Sequence, residues 1–358
     1  MTSIAPVRPS GTPDLTAEPS SPGFDRYLAA ARAWGGRVAP LLAALRAIEP
    51  QTLLPLPGGG STDERFRRLA RIAEADLTAA RVLEPHVDAV AIMAEAGRND
   101  LSAAKGTTWG VFAAEAPGAA VQAVEDGGRW LLSGRKAWCS LGGELSHGLV
   151  TATTLDGATR MFAVELTPPA VRAEPAAWVA RGLAEVVSGP LRFDRASATP
   201  IGGAAWYLDR PGFRWGAIGV AACWWGGCLP IASALRERVR ARPQDALGAA
   251  RLGELHRALE AGRLAVRDAA ARIDAAADGR ADDAPDLAAL AHSVRGIVAD
   301  AVVVALAAAR DVLGPAALAF DEGLARRCAD LELYVSQYHR GRDDASLAAH
   351  LGDGDLAW

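Results

Sequence analysis

The chain has 358 residues, of which 50% are hydrophobic and 22% are charged, and its formal net charge is −4. This length exceeds what one compact core usually holds, so we expect two or three packed subdomains. No block of lysine or arginine stands out, which argues against a nucleic-acid partner and against an anionic membrane surface.

The N-terminal part of the sequence predicts a leader followed by a helical domain. Residues 1–22 are rich in Ser, Thr and Pro and lack the apolar core of a secretory signal, so we expect a disordered leader. Apolar residues then recur at helical spacing, and a helix start at 61–64 follows a Pro/Gly-rich break. We predict helices over 65–81 and 87–96 in an N-terminal helical domain that spans 23–104.

The middle of the chain, 105–203, has the pattern of a small antiparallel β domain. The helical period disappears, and short apolar runs begin at Trp109, Trp130, Leu149, Met161 and Leu191. Turn signals separate these runs, among them Asp-Gly-Gly at 126–128 and Asp-Gly at 156–157.

The last part, 204–350, is rich in Ala, Leu and Arg and predicts an antiparallel four-helix bundle. The predicted helices cover 213–240, 247–277, 285–313 and 321–338, with stops between them. An uncharged segment, 215–235, is long enough to span a membrane, but its glycines and proline favour a buried bundle helix, so we expect no membrane partner. The predicted fold class is therefore α+β, with an α-helical domain, a central antiparallel β domain and a C-terminal four-helix bundle.

The four cysteines give no sign of a metal centre or of disulfides. They are Cys139, Cys223, Cys228 and Cys328, and they form no Cys-x-x-Cys pair and stand beside no histidine cluster. We therefore expect reduced thiols in a cytoplasmic protein, and no metal site.

Two runs in the β domain carry a family resemblance. The run 129–143, R-W-L-L-S-G-R-K-A-W-C-S-L-G-G, resembles the acyl-CoA dehydrogenase signature, in which a strand ends in Gly-x-Lys-x-Trp-(Ile/Cys)-(Thr/Ser)-x-Gly. The run 110–118 resembles the upstream strand that ends in Thr-Glu-Pro-Gly, and 309–314 resembles the family's Gln-x-x-Gly-Gly segment. The resemblance covers most of 65–347. It implies an FAD cofactor, a homodimer or homotetramer and, as a further partner, an electron-transfer flavoprotein.

The first run implies a flavin site around Trp138, Cys139 and Ser140. A flavin ring needs an apolar wall on one face and hydrogen-bond donors along its polar edge. Trp138 supplies ring area, backbone amides near Cys139 and Ser140 supply donors, and the Ser140 hydroxyl is placed to donate to flavin N5. Read without the resemblance, the same residues are a core tryptophan and a turn hydroxyl.

The other two runs depart from the family pattern. On the upstream strand Ala114 stands where the family often has Thr, which leaves backbone contacts from Ala113, Ala114 and Glu115. On the dinucleotide segment Asp311 replaces the Gln, while Gly314 is kept. An Asp near a pyrophosphate is unfavourable unless a cation offsets it, so a weaker or different mode of flavin binding is open.

The resemblance fails at the catalytic base. Dehydrogenation removes a proton alpha to a thioester carbonyl, so a carboxylate must face that carbon. Alignment with the family's last bundle helix puts Ser336 at the base, and the position used in a second branch falls on Gly216 or Ala217. His339 is a second candidate, since flavin monooxygenases of this fold often carry His in this region. The alternative for His339 is a solvated helix end.

Three functions therefore stay open. The first is an FAD-dependent oxidoreductase that carries out α,β-dehydrogenation of an acyl thioester or acts on another small molecule. The second is a flavin-dependent monooxygenase of the same fold. The third is a catalytically degenerate homologue that binds a partner subunit or an acyl chain.

Overall fold

The structure is a computed structural model that describes residues 20–102, 105–279 and 287–351. Most of the predicted leader, 1–22, lies outside these residues, and the first helix already begins at Pro22. The N-terminal helices are α1 (Pro22–Arg32), α2 (Ala39–Arg46), α3 (Thr62–Ala75), α4 (Leu77–Glu95) and the short α5 (Asn99–Ser102), with a 3-10 turn at Pro50–Thr52.

Asp76 divides the helix predicted over 65–81 into two. Its side chain accepts a hydrogen bond from the Ala79 amide at 2.8 Å and so caps the start of α4. Its other carboxylate oxygen pairs with Arg326 at 2.6 Å. Because aspartate is a preferred N-cap, the chain ends α3 here and starts a new helix that continues without a break to Glu95.

Seven strands in the described residues form one sheet that closes into a barrel. They are β1 (Trp109–Phe112), β2 (Val121–Asp126), β3 (Arg129–Ser140), β4 (His147–Thr154), β5 (Thr159–Glu165), β6 (Val171–Ala173) and β7 (Ser188–Ile201). The ring runs β4–β2–β3–β7–β5 and returns to β4 through the β4–β5 pairing.

The prediction of a purely antiparallel domain is wrong for two pairings. β1 and β2 both pair with β4 in the parallel direction, whereas the remaining pairs are antiparallel. Asp-Gly turn signals identify hairpins between successive strands, such as β2–β3. They carry no information on pairing between strands that are not consecutive in the sequence. The closed ring with parallel contacts therefore became visible only in the structure.

The C-terminal part is helical. Its helices are α6 (Trp206–Asp209), α7 (Pro211–Ala241), α8 (Ala246–Ala277), α9 (Leu287–Ala308), α10 (Gly314–Phe320), α11 (Glu322–Val335) and α12 (Arg340–His350), with a π-helical turn at Ala309–Leu313. The predicted helices over 213–240 and 247–277 agree with α7 and α8, and α7, α8, α9 and α11 pack together. Of the third predicted helix, residues 285 and 286 lie outside the described residues.

Helix α7 is long and apolar enough to cross a membrane by length and composition. In this fold it is a core helix instead, because most of its apolar window is buried against α3, α8 and α9. Trp224, near its middle, is fully buried. The domain boundaries at 22, 104 and 203 stay a prediction.

Candidate functional site

A cleft of about 710 Å³ opens between the barrel and the helices. It is lined by side chains from the ends of β1, β3 and β7, from the loop that precedes β7, from α4 and α11, and from the turn between α11 and α12. Six of the residues singled out from the sequence lie on its walls, namely Ala114, Glu115, Trp138, Ser140, Ser336 and His339.

The Trp138 indole projects into this cleft because β3 is irregular there. The register between β3 and β7 shifts between Lys136 and Cys139, and Trp138 adopts a left-handed conformation with φ of 59°. Lys136 and Cys139 on either side are buried, whereas Trp138 is 56% exposed. A bulge of this kind re-aims one side chain, so Trp138 is not a core tryptophan.

Cys139 and Ala113 contribute no side chain to the cleft. The Cys139 thiol is buried and contacts the Lys136 carbonyl oxygen at 3.4 Å, and burial raises the pKa of the thiol to about 12. The Ala113 carbonyl accepts a hydrogen bond from Thr151 Oγ1 at 3.5 Å. Whether their backbone atoms meet a ligand stays a prediction.

Ser140 is held by two polar neighbours. Its Oγ atom lies 2.8 Å from Ser188 Oγ and accepts a hydrogen bond from Arg81 Nη2 at 3.2 Å. Ser188 also donates to the Val186 carbonyl at 3.1 Å. Each hydroxyl has one hydrogen to donate. When Ser188 donates to Val186, Ser140 donates to Ser188 and has no hydrogen left for a ligand. When Ser188 donates to Ser140 instead, the Ser140 hydrogen can point toward a ligand.

Arg81 is a cleft residue that sequence reasoning missed. It lies on α4, its guanidinium pairs with Glu84 at 3.1 Å, and it sits over the Tyr334 ring at 5.9 Å from the centroid. Both side chains of this ion pair are largely enclosed, at 16% and 15% exposure. An Arg-x-x-Glu spacing on a helix usually marks a solvated face, so nothing in the sequence indicated a buried pair.

Tyr334 and Ser336 bring two more hydroxyls to the α11 side of the cleft. Tyr334 is 1% exposed, its hydroxyl meets the Cys223 thiol on α7, and burial raises its pKa well above the usual value. The Ser336 hydroxyl donates to the Leu333 carbonyl at 2.6 Å. The position aligned with the family base therefore carries a hydroxyl that is already engaged with its own helix.

His339 lies on the cleft wall at the start of α12. Its backbone amide donates to Asp343 at 3.0 Å, which fixes the turn between the two helices. The neighbouring Tyr338 is mostly buried and donates to Asp344 at 2.5 Å. The segment is thus folded onto the site through Tyr338, while Ser336, Gln337 and His339 are exposed.

Asp330 fastens the cleft-lining loop to α11. It accepts a hydrogen bond from the Leu183 amide at 2.6 Å and pairs with Arg326 at 3.2 Å. A Cβ at Gly182 would lie 1.9 Å from the Ala329 carbonyl oxygen, so the loop can approach the helix this closely only with glycine there. This contact sets the position of Trp178 and Leu183 on the cleft wall.

Asp311 and Gly314 lie apart from the cleft residues. Asp311 sits in the π-helical turn, where it accepts hydrogen bonds from Arg310 and Arg251, both at 2.9 Å. Hydrogen bonds from these two guanidinium groups lower the pKa of Asp311. The cation expected to offset this carboxylate is therefore present, and the structure does not bring the dinucleotide segment to the cleft.

The described residues contain no cluster of three or more His, Cys, Asp or Glu side chains arranged to hold a metal ion. All four cysteines are free, and three of them are buried.

The order of helices, barrel and helices defines the structural class of this chain. The chain has the acyl-CoA dehydrogenase-like fold, and its cleft carries an exposed indole, several hydroxyls and an enclosed arginine, but no carboxylate at either usual base position. The sequence matches no family profile and no curated protein.

Solved structures share this fold across nearly the whole chain. FMN-bound TdsC from Paenibacillus sp. A11-2, a dibenzothiophene monooxygenase, superposes with a TM-score of 0.77 at 15% identity, covering 91% of this chain and 96% of TdsC. A nitrososynthase from Micromonospora carbonacea var. africana gives a TM-score of 0.76 at 19% identity, covering 95% of this chain and 99% of that one. KijD3, bound to FMN and an amino-keto sugar nucleotide, gives 0.74 at 18% identity, covering 94% and 95%.

Proposed function

We propose that this chain is a flavin-dependent monooxygenase that acts on a small organic molecule. One observation carries the proposal: an exposed indole, a held hydroxyl and His339 meet in one cleft, while the positions that bear the dehydrogenase base hold Ser336, Gly216 and Ala217. The fold shared with TdsC, named as a monooxygenase, and with the nitrososynthase supports this choice.

The residues of the cleft fit a flavin. A volume of about 710 Å³ lies in the range of small-molecule and cofactor sites. Trp138 offers a flat apolar wall, and the Ser140 hydroxyl lies two residues further along the same strand. When bound in reduced form, the flavin supplies two electrons. With them one atom of O₂ enters the substrate and the other leaves as water, while the flavin returns to its oxidised state.

We propose FMN rather than the FAD implied by the sequence resemblance. The Asp311 carboxylate forms ion pairs with Arg251 and Arg310 and does not line the cleft. No contact from this segment therefore supports binding of the adenylate half of FAD. TdsC and KijD3 were both solved with FMN. Under this proposal the chain receives reduced FMN, or electrons for bound FMN, from a separate reductase.

Under this proposal, the residues of the cleft have separate roles in flavin binding and proton transfer. Trp138 binds the flavin ring, and Ser140, oriented by Arg81, donates a hydrogen bond to its polar edge. His339 transfers protons between the cleft and solvent, because an imidazole ring can accept a proton on one nitrogen and donate one from the other. Ser336 takes no part in proton transfer, because its hydroxyl is held by Leu333.

The proposal is tested with purified protein, FMN and a flavin reductase. Oxygen uptake and product formation are measured with indole and dibenzothiophene as first probes, because TdsC binds the former and is named for the latter. The expected result is product that carries one oxygen atom from ¹⁸O₂. Uptake of oxygen that yields only hydrogen peroxide with every probe would contradict the assignment.

Dehydrogenation of an acyl thioester is the second candidate, favoured by the likeness of 129–143 to the dehydrogenase signature. It would use the same flavin, take the proton and hydride from substrate carbons and pass electrons to an electron-transfer flavoprotein. Anaerobic mixing with acyl-CoAs of several chain lengths tests it, since bleaching of the flavin absorbance is the expected sign. An unchanged spectrum with all of them eliminates this candidate.

We also propose a cytoplasmic homodimer or homotetramer. Apolar side chains on α8 and α9 are exposed in the single chain, among them Leu264, Ile297 and Val303. Such residues on bundle helices suit a contact between copies. Light scattering gives the mass of the assembly, and a monomer would overturn this proposal.

A further inference from the structure

Arg81 brings an enclosed positive charge to the wall of the cleft. Its side chain lines the cleft from α4 and is 16% exposed, although the chain as a whole has a net charge of −4. An arginine side chain is rarely enclosed to this extent unless it has a partner or a function. Its hydrogen bonds therefore decide whether it is available to a ligand.

The guanidinium group of Arg81 has donors that no protein group takes. It has five N–H donors, and its hydrogen-bond partners among the described residues are Glu84 Oε2, 3.1 Å from Nη1, and Ser140 Oγ, 3.2 Å from Nη2. Its face lies over the Tyr334 ring, which leaves the N–H groups at the edge of the plane. Donors therefore remain beside Ser140, which also lines the cleft.

The carboxylate beside Arg81 offsets its charge only in part. Glu84 is enclosed together with Arg81, at 15% exposure, but it does not line the cleft. Burial raises the pKa of Glu84 to about 7, so near neutral pH its carboxyl group is protonated in about half of the molecules. The pair therefore presents a net positive charge to the cleft.

The other charges on the cleft wall do not cancel this one. Arg342 lies at the start of α12 with a side chain that is 73% exposed, and its contact with Asp343 is long, at 3.6 Å. Glu115 is the carboxylate among the described lining residues, and the charge of Lys136 acts on it. An anion that enters the cleft therefore passes Arg342 in the solvent-exposed part and meets Arg81 in the enclosed part.

The walls near Arg81 suit an apolar body with a single negative charge. Beside the indole proposed to hold the flavin, apolar side chains line the cleft, namely Trp178, Leu183, Val186 and Leu333. Ligand sites combine such walls with a few polar groups that fix the orientation of the ligand. One enclosed cation matches the charge of a carboxylate, whereas a phosphate group carries more negative charge and more acceptor oxygens than this wall serves.

We infer that Arg81 is the substrate-binding cation of the cleft and that the substrate carries a carboxylate on an aromatic or other apolar body. The inference rests on the proposed function, since Arg81 acts on the substrate of that site. The carboxylate accepts charge-assisted hydrogen bonds from the N–H groups that Glu84 and Ser140 leave over. Because Ser140 contacts the flavin in the proposed function, this contact holds the substrate beside the flavin ring.

The substrate class is tested by calorimetry on the full-length wild-type protein, with and without FMN. The probes are indole-3-carboxylate with indole-3-carboxamide, and benzoate with benzamide, since each amide keeps the shape of its partner and lacks the charge. The carboxylates should bind about 30-fold more tightly than the amides. Equal affinities within each pair, or tighter binding of the amides, would overturn the inference.

The residue is tested with Arg81→Gln, with Arg81→Lys as the variant that keeps the charge. Arg81→Gln should bring the affinities for carboxylate and amide together, and Arg81→Lys should keep part of the difference, because an ammonium group lacks the planar set of donors. The control Arg342→Gln should slow association of the carboxylate more than it weakens binding. A carboxylate preference that Arg81→Gln leaves unchanged would refute the assignment. The comparison of probes in wild type decides the substrate class even if Arg81→Gln does not fold.

The phosphate group of FMN is the other oxyanion that the proposed function brings to this protein, and riboflavin, which lacks it, distinguishes the two. Arg81→Gln should change the affinities for FMN and riboflavin by the same factor. A loss confined to FMN would assign Arg81 to the cofactor and overturn the inference. If wild type oxygenates no probe, the proposed monooxygenase function fails, whereas calorimetry needs no turnover and still decides whether the cleft prefers a carboxylate.

Discussion

The Nη2 atom of Arg81 lies 3.2 Å from the Oγ atom of Ser140 and so joins the fourth helix to the third strand across the cleft. The other end of the same guanidinium holds Glu84 at 3.1 Å. A guanidinium presents several donors in a fixed plane, so it fixes the distance between helix and strand as well as the direction of each partner. Through this one side chain the β domain and the helices share a polar link at the proposed flavin site.

Loss of Arg81 should destabilise the protein in a pH-dependent way. Arg81→Met leaves the Glu84 carboxylate enclosed without its nearest cation, so we expect a loss of about 3 kcal/mol at pH values above the Glu84 pKa. The loss should be smaller in acid, where Glu84 is protonated. Urea unfolding at acidic and alkaline pH measures both values. The same loss at the two pH values would mean that the ion pair contributes nothing.

Glu84 should also give stability a characteristic pH dependence. Its folded pKa, about 7, is raised above the usual 4.5, so the folded state binds the proton more tightly than the unfolded state. The resulting stability is fully present below the unfolded pKa and is lost as pH rises toward 7. The difference in unfolding free energy between wild type and Glu84→Gln should change by about 3 kcal/mol over this window. A constant difference would show that Glu84 does not titrate there.

Trp138 should matter for flavin binding and little for folding. Trp138→Ala removes an exposed ring, so we expect FMN affinity to fall about tenfold while the Tm changes little. Trp130→Phe on the same strand is the matched control, because Trp130 packs against Phe162 and does not line the cleft. The control should keep wild-type FMN affinity. Titration of FMN fluorescence measures both proteins, and equal losses in the two would place the flavin elsewhere.

Ser140 should act in the reaction more than in binding. Ser140→Ala removes the hydroxyl that meets Arg81 and Ser188, and loss of one positioned donor lowers a rate by roughly 100-fold. Ser188→Ala should have a smaller effect, because Arg81 still orients Ser140. Stopped-flow reoxidation of bound flavin by O₂ compares the variants. Equal rates in wild type and Ser140→Ala would remove Ser140 from the mechanism.

Substitution of Asp311 tests whether the protein binds FMN or FAD. Asp311→Gln restores the residue of the resembling family and breaks the pairs with Arg251 and Arg310. If the protein uses FMN, its FMN affinity should be unchanged, and FAD should bind no more tightly than FMN. Calorimetry with both flavins gives the comparison. If the wild-type protein prefers FAD and this preference depends on residue 311, the segment around Asp311 contacts the bound flavin and the FMN proposal is wrong.

The sequence predicted the long elements well, because their signals are local. Helices α7 and α8 carry apolar residues at helical spacing and end at proline or glycine stops, and both were found close to the predicted ranges. Trp138 and Ser140 could be placed on one cleft because a motif ties them together. The break at Asp76 was missed, since a capping aspartate inside a continuous helical pattern resembles a surface residue.

The strand pairing in the barrel and the enclosed charges beside the cleft depend on contacts between residues far apart in sequence. The parallel pairing of β1 with β4 has no hairpin signal, so periodicity alone could not show it. Arg81, Glu84 and Tyr334 read as ordinary helical residues, because charge on a helix usually faces water. They form one enclosed cluster only when α4 and α11 meet, and tertiary packing decides this.

The most direct test of the account is the absorbance spectrum of the purified protein after FMN is added and unbound flavin is removed. The cleft beside Trp138 should retain FMN at one molecule per chain, and in Trp138→Ala the flavin should wash out. A protein that stays colourless with FMN and with FAD, or a variant that retains flavin as wild type does, would contradict the claim that this cleft is a flavin site.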